Sequence, residues 1–329
     1  MVNKINIGVI ITVYNKEKYI IRTLQSVLSQ TVLPEELIII DDCSQDCSTT
    51  QIAKLLPTLE EKISKVIFIK SIKNNGAAET RNLALKRASA DFLMFLDADD
   101  QYINSYISDI KQVLAANTHV SMITSKVKME SSGLEYPSKK VDKTLVKKKG
   151  LNYIEFPFQT LSIESIFIGG GNVCFKRSYI SDEILFDPLE KNFEEWDFYY
   201  RILKRILSNN ESIIYLNKAS YVYNDIDETS LSRNKISNVS DIVVPKIITR
   251  ITDREENNYR KLLISIWFYN SITRLINIKY KFIFIKNNFY TIKHSALNRY
   301  FIGGILMTII DSNVLNSFIS LYKRYRFKK

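Results

Sequence analysis

Histidine, cysteine, glycine and proline are scarce in this chain of 329 residues, and each shortage excludes a class of protein. The three cysteines, Cys43, Cys47 and Cys174, are too few for a disulfide framework. With two histidines in the whole chain and none near a cysteine, a zinc site is not indicated. Nine glycines and six prolines exclude fibrous and low-complexity chains. We therefore expect free thiols in a reducing, cytoplasmic compartment.

Long apolar stretches are also missing. The longest uncharged stretches in the last third of the chain, residues 262–273 and 300–310, are shorter than the ~20 residues that a membrane crossing needs. The apolar run near the N-terminus is short and consists of strand-forming residues, so we expect no signal peptide. With 46% hydrophobic and 12% aromatic residues, the chain has ample apolar side chains for a packed core.

The net charge of +11 is confined to one region. Residues 1–235 carry 30 Lys/Arg and 30 Asp/Glu, whereas residues 236–329 carry 16 and 5. A basic, aromatic-rich region is typical of a segment that meets an anionic surface, and no motif for binding nucleic acid accompanies it. Its pattern is helical, and helices are predicted near residues 262–278 and 301–322. Three interpretations of the region remain open. The region would contact the anionic inner face of the cell membrane, cover the second half of the preceding domain, or form a homo-oligomer contact.

Strand and helix signals alternate over the first hundred residues. Runs of Ile, Val, Leu and Phe predict strands at residues 5–12, 37–40, 66–69 and 92–96. Helical patterns lie between them, and the first is expected to have Asn15 as its N-cap. Strands joined by helices predict an α/β fold whose parallel sheet is flanked by helices and binds ligands at the carboxyl ends of its strands.

Polar side chains follow each of the four predicted strands. They lie in residues 12–15, residues 41–46, residues 74–81 and residues 97–100. A parallel sheet brings these ends to one edge, where at least five carboxylates would repel one another unless a cation offset them. Because the donors are carboxylate oxygens, Mg²⁺ or Mn²⁺ is favoured over zinc.

Some of these residues have ordinary explanations when they are taken singly. Asp46 alone is better explained as a helix cap or turn former, and Asn75-Gly76 alone as a turn. The stretch FLMFLDADD at residues 92–100 is harder to explain in that way, since a buried strand runs directly into three carboxylates. That stretch favours a functional site.

Taken in order, the four segments resemble the GT-A-type glycosyltransferases usually called family 2. The matching segments are VIITVYN (9–15), DDCSQD (41–46), NNGAAETRN (74–82) and FLDADD (95–100). The resemblance implies a GT-A fold, with a Rossmann-like, mostly parallel sheet flanked by helices and, here, a C-terminal helical region. It also implies an inverting transfer of a hexose or N-acetylhexosamine from a UDP-sugar to a glycan or lipid-linked saccharide, in bacterial surface polysaccharide synthesis.

The resemblance implies binding roles for the donor-side residues. Thr12 and Tyr14 would frame the uridine, and Asp42 would accept a hydrogen bond from N3–H of uracil. Arg81 would lie near the base or the diphosphate, and Asp97 would approach the ribose. The family often has proline where Thr12 stands, which leaves the base contact open.

The resemblance places the Mn²⁺ or Mg²⁺ ion at the FLDADD segment. Asp99 would coordinate the ion that bridges the diphosphate oxygens, with Asp97 beside it, and Asp100 is a further candidate ligand. In the later segment YVYNDIDETSLSR many members carry a histidine. Asn224 stands there in this chain, so a histidine ligand is not expected.

The segment NFEEWDFYYRILK (192–204) resembles the family's acidic motif at the start of an acceptor-site helix. Glu195 stands where the family usually has aspartate, and it would be the base that deprotonates the acceptor hydroxyl. Glu194 and Asp197 are the alternates. The ordinary explanation of all three is a solvated acidic first turn of a helix, which the helix dipole favours. Upstream, IFIGGGNVCFKRS (166–178) resembles the loop that shapes the sugar and acceptor pocket.

The resemblance divides the chain into three parts. Residues 1–110 form the nucleotide-sugar-binding half of the GT-A domain, residues 111–235 its acceptor-binding half, and residues 236–329 a basic helical region. Two rival functions remain. One is a non-catalytic scaffold with a degenerate transferase fold that docks on a membrane or partner. The other is a sugar nucleotidyltransferase, which would need a glycine-rich loop after the first strand, where VYNKEKY has no glycine.

Overall fold

The computed structural model describes residues 5–167, 170–190, 193–227, 235–275 and 277–309. The strands in these ranges are β1 (Ile7–Val13), β2 (Glu36–Asp41), β3 (Lys65–Lys70), β4 (Phe92–Asp97), β5 (Gln101–Tyr102), β6 (Val120–Met129), β7 (Glu135–Tyr136), β8 (Val146–Lys148), β9 (Leu151–Tyr153), β10 (Val173–Lys176) and β11 (Ser212–Tyr223). The helices are α1 (Ile20–Leu28), α2 (Ser48–Lys62), α3 (Ala77–Arg87), α4 (Tyr106–Ala116), α5 (Pro157–Ile163), α6 (Glu194–Ser208), α7 (Lys246–Arg250), α8 (Asn257–Arg274), α9 (Ile278–Ile292) and α10 (Arg299–Ile309).

All these strands belong to one mixed sheet. Its order is β3-β2-β1-β4-β10-β6-β11-β9-β8, with β5 paired to β11 and β7 to β6. Strands β3, β2, β1 and β4 run parallel to one another, whereas β10 runs antiparallel between β4 and β6. The predicted α/β fold with a parallel core flanked by helices is confirmed, and the second half of the sheet combines antiparallel pairs with the parallel pair β6–β11.

The four predicted strands correspond to β1–β4. Strands β1, β2 and β4 are buried along almost their whole length, because they lie inside the sheet and helices cover them. Their Ile, Val and Leu side chains suit a strand that is buried on both faces. Strand β3 forms the sheet edge and is only half-buried.

The predicted N-cap of the first helix is wrong. Helix α1 begins at Ile20, and Asn15 lies in the loop before it with a φ of 52°. Asparagine tolerates this left-handed conformation better than most residues. Its side-chain oxygen accepts a hydrogen bond from the Gln45 N–H at 2.8 Å, and its own N–H donates to Ser44 Oγ at 2.9 Å. Asn15 therefore ties together the loops that follow β1 and β2.

The chain divides into two compact units, Met1–Asp227 and Glu228–Lys329, and the first contains the whole sheet. The division of the first unit into residues 1–110 and 111–235 stays a prediction, because one sheet runs through both.

The second unit is helical, as the sequence predicts. Rings of Trp267 and Phe268 in α8 lie 5.3 and 6.4 Å from the ring of Phe284 in α9. The helix predicted at residues 301–322 is present as α10, and its remainder falls outside the described residues. Helix α9 is not predicted. Across the ranges that the structure describes, no helix combines the length and the apolar character that a membrane crossing requires.

Candidate active site

The carboxyl ends of β1, β2 and β4 meet at one edge of the sheet. Thr12 pairs in register with Asp97 of β4, and Val13 pairs with Asp41 of β2. Thr12 is half-buried, and Tyr14 is 44% exposed at the rim. The strand ends therefore place the predicted donor-side residues together, and their contacts with a uridine remain a prediction.

Asp42 fixes the turn that leads into α3. It is 4% exposed, and its two carboxylate oxygens accept hydrogen bonds from the N–H groups of Asn75 and Gly76, each at 2.8 Å. Gly76 has a φ of 85°, a conformation that glycine adopts without strain. Because Gly76 immediately precedes α3, Asp42 also sets the position of Arg81 in that helix.

Arg81 joins the end of strand β4 to the acidic start of helix α6. Its side chain is 8% exposed. The Nη2 atom lies 3.2 Å from Asp97 Oδ1 and 2.9 Å from Glu195 Oε1, and Nη1 lies 3.4 Å from Glu194 Oε1. The guanidinium also lies 5.4 Å from the centre of the Phe186 ring. One buried cation thus holds three carboxylates that come from distant parts of the sequence.

Glu195 has the proton affinity that a base at neutral pH requires. Burial, together with the charges of Asp97 and Glu194, raises its pKa to about 7 against the opposing charge of Arg81. A catalytic carboxylate is most effective when its pKa lies near the working pH. Gly170 lies against this carboxylate, since a Cβ atom there would be 3.2 Å from Glu195 Oε1. The glycine-rich loop therefore lets the backbone approach Glu195 closely.

The three acidic residues at the start of α6 have different surroundings. Glu194 and Glu195 face Arg81, whereas Asp197 is 2% exposed and pairs with Arg201 at 2.9 Å. Arg201 also donates to the backbone oxygens of Glu183 and Leu185. Asp197 therefore anchors the segment before α6, and Glu195 stays the leading candidate for the base.

Asp99 lies in a second cluster. Lys16 Nζ lies 2.6 Å from Asp99 Oδ2 and 2.5 Å from Asp227 Oδ2. Burial raises the pKa of Asp99, the charge of Asp97 raises it further, and Lys16 opposes both. Burial alone would lower the pKa of Lys16, but the two carboxylates outweigh it and raise that pKa. The ammonium group is thus a counter-charge for two carboxylates beside the predicted metal position.

Asp100 is engaged by the protein itself. It is 1% exposed, accepts a hydrogen bond from the Asn224 N–H at 2.6 Å, and accepts another from the hydroxyl of Tyr221. Burial raises its pKa well above the usual range, and Asp97 and Asp99 add to the effect. Asn224 Oδ1 in turn accepts from the N–H of Asp227 at 3.1 Å. Asp100 therefore sets the position of Asp227, which lies beside Lys16.

The donor set suits a Mg²⁺ or Mn²⁺ ion that is shared with a ligand. Within the ranges that the structure describes, no three His, Cys, Asp or Glu side chains form a group that could hold a metal by themselves. Mg²⁺ in nucleotide sites commonly takes one or two carboxylates and completes its shell with phosphate oxygens and water. Asp97 and Asp99 supply two such carboxylates, and the Lys16 ammonium is the cation that lies beside Asp99 in this structure. The residues therefore fit the ion, and Asp100 is the least available of the three predicted ligands.

Sequence reasoning missed Lys16 and Asp227. Asp227 follows Asn224 by three positions in the segment where a histidine ligand was not expected, and Lys16 directly follows the VYN segment. A charged residue inside one segment and directly after the other is the signal that could have identified them.

Comparison with known proteins extends these observations. The family model described as "Glycosyl transferase family 2" matches residues 8–185. An uncharacterized glycosyltransferase of Bacillus subtilis, YwdF, is 28% identical over 200 residues, which cover 60% of this chain and 68% of that protein. The Escherichia coli protein named "UDP-Glc:alpha-D-GlcNAc-diphosphoundecaprenol beta-1,3-glucosyltransferase WfaP" is 40% identical over 103 residues, covering 31% of this chain and 39% of that protein.

The chain is also similar to a protein whose crystal structure is known. Staphylococcus aureus TarS, named as a poly(ribitol-phosphate) beta-N-acetylglucosaminyltransferase, is 37% identical over 100 residues, which cover 30% of this chain and 16% of that protein. The crystal structure of TarS residues 1–349 with UDP-GlcNAc superposes with a TM-score of 0.56 at 20% identity, covering 87% of this chain and 73% of that one. Because the family model spans more than half of the chain, the chain belongs to glycosyl transferase family 2 and is a glycosyltransferase.

Proposed function

We propose that this glycosyltransferase moves a sugar from a UDP-sugar to a hydroxyl group of a glycan or lipid-linked saccharide, with inversion at C1. The observation that carries the proposal is the Arg81 cluster. It places Asp97, at the end of the donor-side strand β4, beside Glu195 at the start of α6. A transfer site needs a donor-binding edge and a base within reach of one reacting centre, and the closeness of Asp97 and Glu195 supports these two roles.

The names of the relatives support the donor class. WfaP is named for UDP-glucose, and TarS for transfer of N-acetylglucosamine. Each aligns over about a third of this chain or less, so the donor and the acceptor of this chain are part of the proposal. Residues 1–110 would bind the nucleotide-sugar, with Thr12, Tyr14 and Asp42 at the uridine. Residues 111–235 would bind the acceptor.

In the proposed reaction, Glu195 acts as the base. Its carboxylate takes the proton of the acceptor hydroxyl as the hydroxyl oxygen forms a bond to C1 of the sugar. The bond from C1 to the UDP oxygen breaks on the opposite face, so the configuration at C1 inverts and UDP leaves with the bonding electron pair. General-base assistance of this kind typically contributes 10²–10⁴-fold.

Asp97 and Asp99 would hold a Mn²⁺ or Mg²⁺ ion at the diphosphate. When bound, the ion neutralises the charge that develops on the leaving UDP. Lys16 contributes a second positive charge at the same edge, because it lies against Asp99 and Asp227. Arg81 remains with Glu195 and Asp97, where it keeps the base ionised and in place.

A donor panel tests the proposal. The full chain is incubated with UDP-glucose, UDP-galactose, UDP-GlcNAc and UDP-GalNAc in Mn²⁺, with GDP-mannose and dTDP-glucose as nucleotide controls, and release of the nucleotide is measured. We expect release from at least one UDP-sugar, loss of release in EDTA, and little release from the controls. No binding of any UDP-sugar in Mn²⁺ would instead favour the non-catalytic scaffold.

A further inference from the structure

An exposed apolar stripe runs along one side of α9. Its members are four residues spaced at three or four positions, which places them on one helix face: Ile278, Phe282, Ile285 and Phe289. Ile278, Phe282 and Phe289 are 47%, 57% and 62% exposed, and Ile285 is partly exposed. An adjacent residue, Tyr290, is 76% exposed. Large apolar side chains aligned in this way mark a surface that meets a partner.

The stripe is separate from the face that packs α9 into its own unit. The buried positions are Lys281, Phe284 and Ile292. Phe284 packs on Trp267 and Phe268, and Lys281 Nζ donates to the backbone oxygen of Met307 at 2.7 Å. Helix α9 thus has two apolar faces, and only one of them is used inside the unit.

A row of lysines lies next to the stripe. Lys279, Lys286 and Lys293 recur every seven residues, so they fall on nearly one line along the helix, and all three are exposed. Helices α8, α9 and α10 contain no Asp or Glu, while they contain seven Lys or Arg. The stripe is therefore flanked by positive charge with no acidic side chain on the same helices to balance it.

We propose that this face of α9 binds an anionic lipid bilayer, with the helix lying in the plane of the membrane interface. Phe282 and Phe289 enter the boundary between headgroups and acyl chains, and the lysine row contacts lipid phosphates. An amphipathic helix with aromatic residues on one side and lysines beside them has the composition that such an interface selects. This inference rests on α9 alone and does not depend on which sugar is transferred.

Charge argues against two other partners that could cover the apolar stripe of α9. A second copy of the chain would bring one lysine row against another, and like charges oppose that contact. The residues after Ile309 carry five Lys or Arg and one Asp, so the net charge of that segment is positive, like that of the lysine row. A membrane that contains phosphatidylglycerol or another acidic lipid has a negative surface charge, which is complementary to the lysine row.

Vesicle sedimentation of the full chain tests the proposal. We expect binding to vesicles of 30% phosphatidylglycerol in phosphatidylcholine, much weaker binding to phosphatidylcholine alone, and release as salt rises from about 0.1 to about 0.5 M. Each lysine near an acidic surface contributes roughly fivefold to binding. The triple variant Lys279→Gln, Lys286→Gln, Lys293→Gln should therefore bind about 100-fold more weakly.

Matched controls separate the stripe from general surface effects. Phe289 and Phe156 are equally exposed, at 62% each, and Phe156 lies outside the helical unit. Phe289→Ser should weaken vesicle binding at least tenfold, Phe289→Leu should largely preserve it, and Phe156→Ser should leave it unchanged. The control for charge is the triple variant Lys139→Gln, Lys140→Gln, Lys143→Gln. It removes three exposed lysines from the first unit and should have little effect on vesicle binding.

Three results would overturn the proposal. One is no preference for acidic vesicles, and another is equal loss of binding in the controls and in the α9 variants. The third is a dimer, measured by sedimentation equilibrium, that Phe289→Ser dissociates while vesicle binding is unchanged. Nucleotide release from a UDP-sugar, measured on the same samples, shows whether each variant retains its fold.

Discussion

Replacing Arg81 with methionine should move the pH dependence of the reaction. Arg81 lies 2.9 Å from Glu195 Oε1 and opposes the burial and the neighbouring carboxylates that raise the pKa of Glu195 to about 7. Two unit charges ~4 Å apart interact by ~4 kcal/mol at an effective dielectric constant of 20. That energy corresponds to ~3 pKa units, since one unit equals ~1.36 kcal/mol.

The full effect is not expected, because Arg81 is shared by three carboxylates and 21% of the Glu195 side chain is exposed. We expect the pKa of Glu195 to rise to about 8–9 in Arg81→Met. The base acts in its ionised form, so kcat/KM rises with pH through this pKa. At pH 7 the ionised fraction, and with it kcat/KM, should fall roughly 5- to 50-fold and recover above pH 9.

The assay is a profile of kcat/KM from pH 5 to pH 10 for the wild type and three variants. The wild type should show a rising limb near pH 7. Arg81→Lys keeps the charge, so its limb should stay close to that of the wild type. Arg201→Met removes the partner of Asp197, and it should lower the melting temperature without moving the limb. A limb that stays near pH 7 in Arg81→Met would refute the electrostatic role of Arg81.

Three further predictions concern the metal, the nucleotide and the glycine-rich loop. Asp99→Asn should abolish transfer and weaken UDP binding in Mn²⁺ calorimetry, and full wild-type activity in EDTA would contradict it. Asp42→Ala should raise KM for the donor by the equivalent of ~1.5–3 kcal/mol, since a charged hydrogen-bond acceptor is lost. Donor kinetics with CDP-glucose that match UDP-glucose would argue against the uracil contact, because N3 of cytosine carries no hydrogen. Gly171→Ala should lower the free energy of unfolding by about 1–3 kcal/mol, because the new methyl group overlaps the Tyr221 ring. An unchanged melting temperature would show that the ring moves aside freely.

The strand-end motifs could be predicted from the sequence because they depend on local patterns. Buried strands such as β4 have a continuous apolar run, and parallel pairing then places residues such as Asp97 and Thr12 side by side. Because the carboxyl ends of parallel strands meet at one edge of a sheet, the sequence also predicted the edge where the candidate site lies. The family resemblance added the expected position of the base at Glu195, which faces Arg81 in the structure.

Other features depend on contacts between distant residues, and no local pattern reports them. Lys16 pairs with Asp227, 211 positions later in the chain. Arg81 was expected near the nucleotide, and its ion pairs with Glu194 and Glu195 become visible only when α6 packs near α3. Helix α9 was missed because its two apolar faces together leave no single amphipathic stripe in the sequence.

The central claim is that Glu195 is the base at a site that binds a UDP-sugar. The direct measurement compares Glu195→Gln with wild type for transfer in single turnover and for donor binding by calorimetry in Mn²⁺. The variant keeps the shape of the side chain and removes its ability to accept the proton. We predict that transfer falls by at least about 100-fold while the Kd for the donor changes less than about threefold. Wild-type transfer by Glu195→Gln would contradict the account, as would a loss of transfer that arises wholly from lost donor binding.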